Sequence, residues 1–247
     1  MALTAIQTDI AERLQKEILS LQGFRTPAHG KRVDFGLGPI EAACPNHTFP
    51  TGAVHEFVST NMENAAATTG FMAGLLGKLM GQYGICLWIG IKPYIFPPAL
   101  KTFGIEPDRV IFIDLSREKD VVWAVEEALK CEALAAVVGE LNNISFTESR
   151  RLQLAVEQSR VTGFLHRNNP RSVNTLACVS RWQITPLISQ LEAGMPGVGY
   201  PRWHVALQKI RNGEPGEWIV EWVAGRFELV TTETLPVIER QDWLNIA

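Results

Sequence analysis

The sequence lacks the excess of positive charge that marks a dedicated nucleic-acid-binding protein. Its 247 residues carry 23 lysines and arginines against 26 aspartates and glutamates, which gives a net charge of −3. Any contact with DNA must therefore come from a local basic segment. The length and the 46% hydrophobic content fit one large domain, or one domain with an appendage.

Cysteine is scarce, and long apolar runs are missing. The four cysteines are widely separated, and Cys86, Cys131 and Cys178 lie in apolar segments, where a free thiol behaves as a small hydrophobic side chain. No run approaches the ~20 apolar residues that span a bilayer. The first dozen residues contain charges where a signal peptide would have an apolar region. We therefore expect a cytoplasmic protein without membrane segments.

Short apolar runs alternate with helical patterns from Ala53 onward. The runs are apolar on both faces, which is typical of parallel strands covered by helices on both sides. They lie at residues 53–58, 84–91, 109–115, 134–141 and 163–166. Helices are predicted at residues 63–81, 96–103, 117–131 and 146–162. Ser116 is predicted to cap the third of these helices, and Ser145 and Glu148 have the spacing of a capping box on the fourth.

The two ends of the chain have a different character. Apolar residues at helical spacing between Ile6 and Leu21 predict an N-terminal helix, followed by a segment rich in glycine and proline. After Pro170 the runs "NTLACVSRWQI", "WHVALQKIRNG", "EWIVEWVAG" and "RFELV" predict antiparallel strands. The predicted organisation is therefore a helix and linker at 1–50, an α/β core at 51–184, and a β extension with a tail at 185–247.

Glycine and lysine are both missing from the junction between the first strand and the first core helix. A phosphate-binding loop needs glycines for close backbone approach and a lysine for the outer phosphates. Between Gly52 and Gly70 the chain has neither residue type. The corresponding positions hold Thr60, Asn61, Glu63, Asn64 and Ala65. Since the Glu63 carboxylate lies where phosphates need positive potential, we interpret the junction as a strand-to-helix connection without a nucleotide.

Other catalytic and cofactor motifs are also absent. There is no G-x-S-x-G, and the pair His55-Glu56 is not followed by the second histidine of a zinc-protease helix. Gly36 and Gly38 lack the third glycine of a dinucleotide loop and follow no predicted strand. We therefore predict no catalytic residue, no metal ligand and no cofactor.

The order of these segments resembles the RecA-like core, and more specifically the ImuA family. The pieces that carry the resemblance are "FPTGAVHEF", "CLWIGIKP", "ALKTFGIEPDRVIFIDL", "LAAVVGEL", "ESRRLQLAVEQSRVTGFLHRNNP" and "TLACVSRWQI", within residues 48 to 184. ImuA proteins are accessories of bacterial mutagenic translesion synthesis and are related to the SulA division inhibitors. The resemblance implies a RecA-like, mostly parallel sheet flanked by helices.

The resemblance also implies a function and partners. An ImuA-like chain would be a non-catalytic adaptor of an error-prone translesion synthesis complex in the SOS response to DNA damage. It would bind an ImuB-type, polymerase-like subunit and a DnaE-type polymerase, and contact with RecA itself is a further option. Any contact with DNA would be indirect.

Compared with active RecA-like ATPases, the chain departs at each chemical position. Ala65 falls about where the phosphate-loop lysine belongs, and Lys92 where the water-activating carboxylate belongs. Gly139 stands where a magnesium-associated aspartate is expected, with Glu140 one residue later. The resemblance therefore implies that ATP hydrolysis has been lost.

The sequence leaves two alternatives open. One is a working NTPase with an irregular phosphate loop, in which Asp114 or Glu140 holds magnesium and Lys78 or Lys92 meets phosphate. The other is a SulA-like inhibitor that binds a cell-division protein.

Candidate contacts to DNA or to a partner come from arginine and tryptophan. Between Ser149 and Arg181 six arginines stand against a single acid, and arginine pairs well with phosphate and carboxylate. Five of the seven tryptophans lie in the final third, where they either pack on the sheet or anchor a partner. The candidates are Arg151, Arg167, Arg171, Trp218, Trp222 and Trp243. The tail "PVIERQDWLNIA", which contains Trp243, is a candidate docking peptide.

Overall fold

The computed structural model describes residues 33–93, 95–190 and 197–230. The predicted N-terminal helix, the C-terminal tail and Trp243 lie outside these residues.

The described residues form one nine-stranded sheet. The strands are β1 (Val54–Ser59), β2 (Cys86–Gly90), β3 (Val110–Asp114), β4 (Ala136–Leu141), β5 (Thr162–Asn168), β6 (Ser180–Leu187), β7 (Arg202–Ile210), β8 (Gly216–Val223) and β9 (Arg226–Leu229). Their order is β3-β2-β4-β5-β1-β6-β7-β8-β9. Neighbours from β3 to β6 are parallel, and neighbours from β6 to β9 are antiparallel.

This arrangement confirms the predicted α/β class, with a mostly parallel sheet and antiparallel C-terminal strands. One strand has two roles: the run that forms β6 is predicted among the antiparallel strands and also carries part of the resemblance to the parallel core. It also pairs in parallel with β1, and so it joins the two halves of the sheet.

Helices cover the parallel strands on both faces. They are α1 (Pro39–Ala42), α2 (Met62–Met80), α3 (Glu118–Leu129) and α4 (Phe146–Ser159). The helix predicted at 96–103 is a 3₁₀ helix, Pro97–Phe103. Its first two residues are prolines, which have no backbone N–H to donate, and Gly104 ends it in a left-handed conformation.

The two predicted helix caps have different outcomes. The capping box on α4 is confirmed, because the Ser145 side chain accepts from the Glu148 backbone and the Glu148 side chain accepts from the Ser145 backbone. The Ser116 cap on α3 is wrong, since the helix begins one residue later and Arg117 is its N-cap, without a side-chain hydrogen bond.

Each face of the sheet has its own core. On one face α2 and residues 35–49 pack against aromatic rings of the C-terminal strands, among them Trp182, Trp203 and Phe227. On the other face α3 and α4 pack against the parallel strands. The glycines of α2 permit close packing: a Cβ on Gly77 would lie 2.2 Å from the Phe103 carbonyl oxygen, and one on Gly74 would lie 2.5 Å from the Phe227 ring.

The described part of the predicted linker belongs to the core. Phe35, Leu37, Ile40 and Phe49 are fully or almost fully buried on the α2 face. At the other predicted boundary, β6 runs from Ser180 to Leu187 and therefore spans residues 184 and 185. The core and the β extension share one continuous sheet.

The cysteines are free thiols. Cys86 and Cys178 are buried, as expected of small hydrophobic side chains, and so is Cys44; burial raises the pKa of each of these three thiols to about 12. Cys131 is exposed, because it follows α3 in a surface turn. None of the helices in the described ranges is both long and apolar enough to cross a membrane.

Candidate functional site at the carboxyl edge of the sheet

The carboxyl ends of the five strands from β3 to β1 meet at one edge of the sheet. In open α/β sheets this edge is where ligands bind. The edge is formed by Ser59 of β1, Gly90 of β2, Asp114 of β3, Leu141 of β4 and Asn168 of β5. The junction of β1 and α2, where a phosphate loop would lie, is part of it.

The start of α2 is capped by the side chains of the junction itself. The Asn64 backbone N–H donates to the Asn61 side-chain oxygen at 2.8 Å, and the Ala65 N–H donates to the Asn61 carbonyl at 3.0 Å. The Asn64 amide in turn donates to the Thr60 hydroxyl at 3.0 Å. Two of the backbone donors at the helix start, those of Asn64 and Ala65, are therefore already paired with Asn61.

A buried polar cluster lies beneath this cap. The Ser59 hydroxyl is 2.9 Å from the Thr68 hydroxyl and 2.9 Å from His166 Nε2. Burial lowers the pKa of His166 to about 3, so the ring is neutral near pH 7. The other ring nitrogen, Nδ1, is buried and has no hydrogen-bond partner among the described residues, and the same holds for Asn168 Oδ1.

The two acids of the NTPase alternative have other partners. Glu140 is buried and accepts from the Trp88 indole at 2.8 Å, and burial raises the pKa of its carboxyl although this hydrogen bond opposes the shift. Asp114 accepts from the Lys92 backbone N–H at 2.8 Å, which fixes the turn after β2. In the described residues, no group of three or more histidine, cysteine, aspartate or glutamate side chains could hold a metal ion.

Lys78 lies far from the junction. It is in the last turn of α2, sixteen residues after Met62, which corresponds to about 24 Å along the helix at 1.5 Å per residue. The junction itself contains no lysine. Lys78 therefore does not occupy the position of a phosphate-loop lysine, whereas Lys92, the other lysine of the NTPase alternative, lies two residues after the end of β2.

A buried ion network on the opposite face was not predicted from the sequence. The Glu56 carboxylate of β1 accepts from Arg167 of β5 at 2.8 Å and from Arg181 of β6 at 2.7 Å. The side chains of Glu56 and Arg167 are each only 1% exposed. A glutamate in the middle of the buried run "AVHEFV" was the available signal, because buried charges are normally paired.

This ion network also fixes the loop between β5 and β6. Arg167 donates to the carbonyls of Asn142 and Ser172, at 3.3 and 2.9 Å. Arg181 donates to the Asn174 carbonyl. The loops that follow β4 and β5 are thereby held together from inside the protein.

The predicted arginine contacts do not form one patch. Arg167 is buried in the ion network, which corrects the expectation that it faces DNA or a partner. Arg151 is half exposed and pairs with Glu126, so that it links α4 to α3. Arg171 is exposed at the loop after β5, where its backbone N–H donates to the Asn143 side chain at 3.2 Å. Of these three arginines, only Arg171 and Arg151 have accessible side chains.

The two tryptophans of β8 pack toward the core. Trp222 is buried, its indole N–H donates to the Thr102 carbonyl at 3.0 Å, and its ring contacts Phe103 and Phe227. Trp218 is partly buried against the same core. Trp222 is therefore not accessible as a partner anchor, and the common face of the two rings is the one that α2 covers.

The fold and this edge define an α/β protein with a mostly parallel sheet, in which the position of a phosphate loop is occupied by a self-capped helix. No family model matches the chain. Two curated relatives, both called "Protein ImuA" and both from Caulobacter vibrioides (strains NA1000 / CB15N and CB 15), are 33% identical to it over 211 residues. The match covers 81% of this chain and 86% of each relative. The chain belongs to the ImuA family.

Proposed function

We propose that this chain is a non-catalytic adaptor with a RecA-like core, which acts in an error-prone translesion synthesis complex of the SOS response. Its direct partner is an ImuB-type, polymerase-like subunit, and through it a DnaE-type polymerase. RecA is a further candidate partner. Membership of the ImuA family supports the cellular role, and the state of the β1–α2 junction supports the absence of catalysis.

The observation that carries the proposal is the cap of α2. The Asn61 side-chain oxygen accepts from the Asn64 backbone N–H, and the Thr60 hydroxyl accepts from the Asn64 side chain. There is no glycine or lysine between Gly52 and Gly70. A triphosphate would have to displace these bonds and approach the Glu63 carboxylate as well. The loss of one interaction could be compensated elsewhere, but the lysine and the glycines are both missing, and the Asn64 backbone N–H is already paired with the Asn61 side chain.

Partner binding is the direct test of the adaptor role. The full chain is mixed with a purified ImuB-type protein from the same organism, and complex formation is measured by sedimentation with and without ATP and magnesium. We expect a complex whose affinity does not change with ATP. No complex at tens of micromolar protein, or a complex that forms only with hydrolysable ATP, would contradict the proposal.

A tail variant tests the docking peptide separately. Deletion of residues 236–247 removes Trp243 and is expected to weaken the complex at least tenfold, while the combined fluorescence of the six remaining tryptophans serves as the control for folding. An unchanged affinity would reject the tail as the docking segment and leave the adaptor role standing.

A further inference from the structure

The two edges of the sheet differ in how they are protected. Natural sheets keep a free edge from pairing with other chains by placing charged residues, prolines or bulges on it. The edge strand β9 is four residues long and carries Arg226 and Glu228, which form an ion pair at 2.7 Å. The edge strand β3, "VIFID", has no charge before its last residue and no proline.

The outer side of β3 presents backbone groups that have no strand partner among the described residues. The Leu115 N–H donates to the Gly90 carbonyl of β2 at 2.9 Å. Since the backbone groups of a strand alternate in direction, Ile111 and Ile113 also point to β2, and Val110, Phe112 and Asp114 point away from the sheet. Within the described ranges no strand pairs with this outer side.

An apolar surface adjoins this edge. Ile111 is 50% exposed, and it lies beside Leu87 of β2 in the sheet register. Ile85, which is 40% exposed, precedes Leu87 by two residues and therefore lies on the same face. Helix α3 packs mainly on β4 and β2, so that Ile113 of β3 is partly buried against this core while Ile111 stays half exposed.

We propose that β3 pairs with β3 of a second copy of this chain, in antiparallel orientation about a two-fold axis at Phe112. In this register the outward-pointing residues face one another, Phe112 against Phe112 and Val110 against Asp114, so that six backbone hydrogen bonds form. Moving the register by two residues retains fewer of these pairs. The pairing joins two sheets into one.

In this arrangement the side chains of β3 in one copy pack against those of β3 in the other copy. The half-exposed Ile111 of one copy faces the partly buried Ile113 of the other, and such β-branched pairs stabilise neighbouring strands. On the face of Ile111, helix α3 packs mainly over the inner strands β4 and β2, which leaves room there for the second copy. A closed two-fold pair is also the commonest symmetric assembly, and it leaves no free β3 edge.

Cysteine pairs test the register. In an antiparallel sheet, Ile111 and Ile113 would form a non-hydrogen-bonded pair with Cα atoms about 4.5 Å apart, which is within the range of a disulfide. Ile111→Cys and Ile113→Cys are made as separate variants, each with the exposed Cys131 changed to Ser. After mixing and mild oxidation, we expect several-fold more disulfide dimer than in either variant alone.

Sedimentation of the full chain tests the assembly itself. We expect a concentration-dependent dimer, weakened at least tenfold by Ile111→Lys and unaffected by Ile188→Lys, a control at a site that is 91% exposed and far from β3. A monomer at 100 µM, longer polymers, or equal cross-linking in the mixed and unmixed samples would overturn the proposal. None of these results depends on whether the chain binds a polymerase subunit.

Discussion

Glu56 gives the sharpest test of the energetics of this fold. The substitution Glu56→Gln keeps the size of the side chain but removes the charge that Arg167 and Arg181 share. Arg167 would remain buried at 1% exposure without an ionised partner. Removing one member of a buried ion pair typically costs about 3–5 kcal/mol, because the other charge is left uncompensated.

The substitution is therefore expected to lower the free energy of unfolding by about 3–5 kcal/mol, a large part of the roughly 5–15 kcal/mol that holds a typical domain folded. Urea unfolding followed by tryptophan fluorescence and circular dichroism measures the change. Glu106→Gln is the matched control, because Glu106 pairs with Lys101 at 3.5 Å with both side chains more than 60% exposed. That change is expected to cost no more than about 1 kcal/mol.

The reasoning would be refuted if Glu56→Gln and Glu106→Gln had the same small effect. Such a result would mean that the two arginines reach water or other acceptors without loss. A double variant, Glu56→Gln with Arg167→Met, adds a further check. We expect this double variant to be more stable than Glu56→Gln alone, because the charge of Arg167, which Glu56→Gln leaves uncompensated, is also removed.

Three further predictions concern burial and helix packing. In the folded protein the pKa of His166 is about 3, whereas in the unfolded chain it is about 6.5. Between these pH values unfolding takes up a proton, and the free energy of unfolding therefore falls as the pH is lowered. His166 contributes about 1.4 kcal/mol per pH unit to this slope, in addition to the contribution of His55, whose pKa burial lowers to about 4. Urea titrations from pH 7 to 4.5 should therefore show a slope shallower by about 1.4 kcal/mol per pH unit in His166→Gln; an unchanged slope would exclude a contribution from His166. Asn61→Ala is expected to lower stability by about 1 kcal/mol through the lost cap, with Asn61→Asp close to wild type; equal stability of the two variants would argue against the cap. Gly77→Ala should destabilise by about 1–3 kcal/mol in thermal unfolding through overpacking against Phe103, although alanine favours helices; a gain in stability would show that the segment at Phe103 can move.

The strands could be predicted because each depends on a pattern of residues that are neighbours in the chain. Each of the nine strands overlaps a run that the sequence displays, although five of them extend past its ends, and the capping box on α4 depends on two residues three positions apart. The order of the strands, by contrast, depends on pairings between residues far apart in the chain. The double role of β6, parallel to β1 and antiparallel to β7, is such a case.

The candidate site was predictable in what it lacks and only partly in what it contains. The missing glycines and lysine can be read directly from residues 53–69. The Glu56 network could not be derived, since its arginines lie 111 and 125 residues away in the chain. For the same reason Arg167 was grouped with surface arginines: a count of charges along the chain does not show which side of a strand each side chain occupies.

The most direct test of the central claim is the affinity of the full chain for ATP in the presence of magnesium, measured by calorimetry. The account predicts no binding up to millimolar nucleotide, with no change when Asp114 is replaced by Ala. Micromolar affinity that is lost in Asp114→Ala, together with magnesium-dependent hydrolysis, would contradict it.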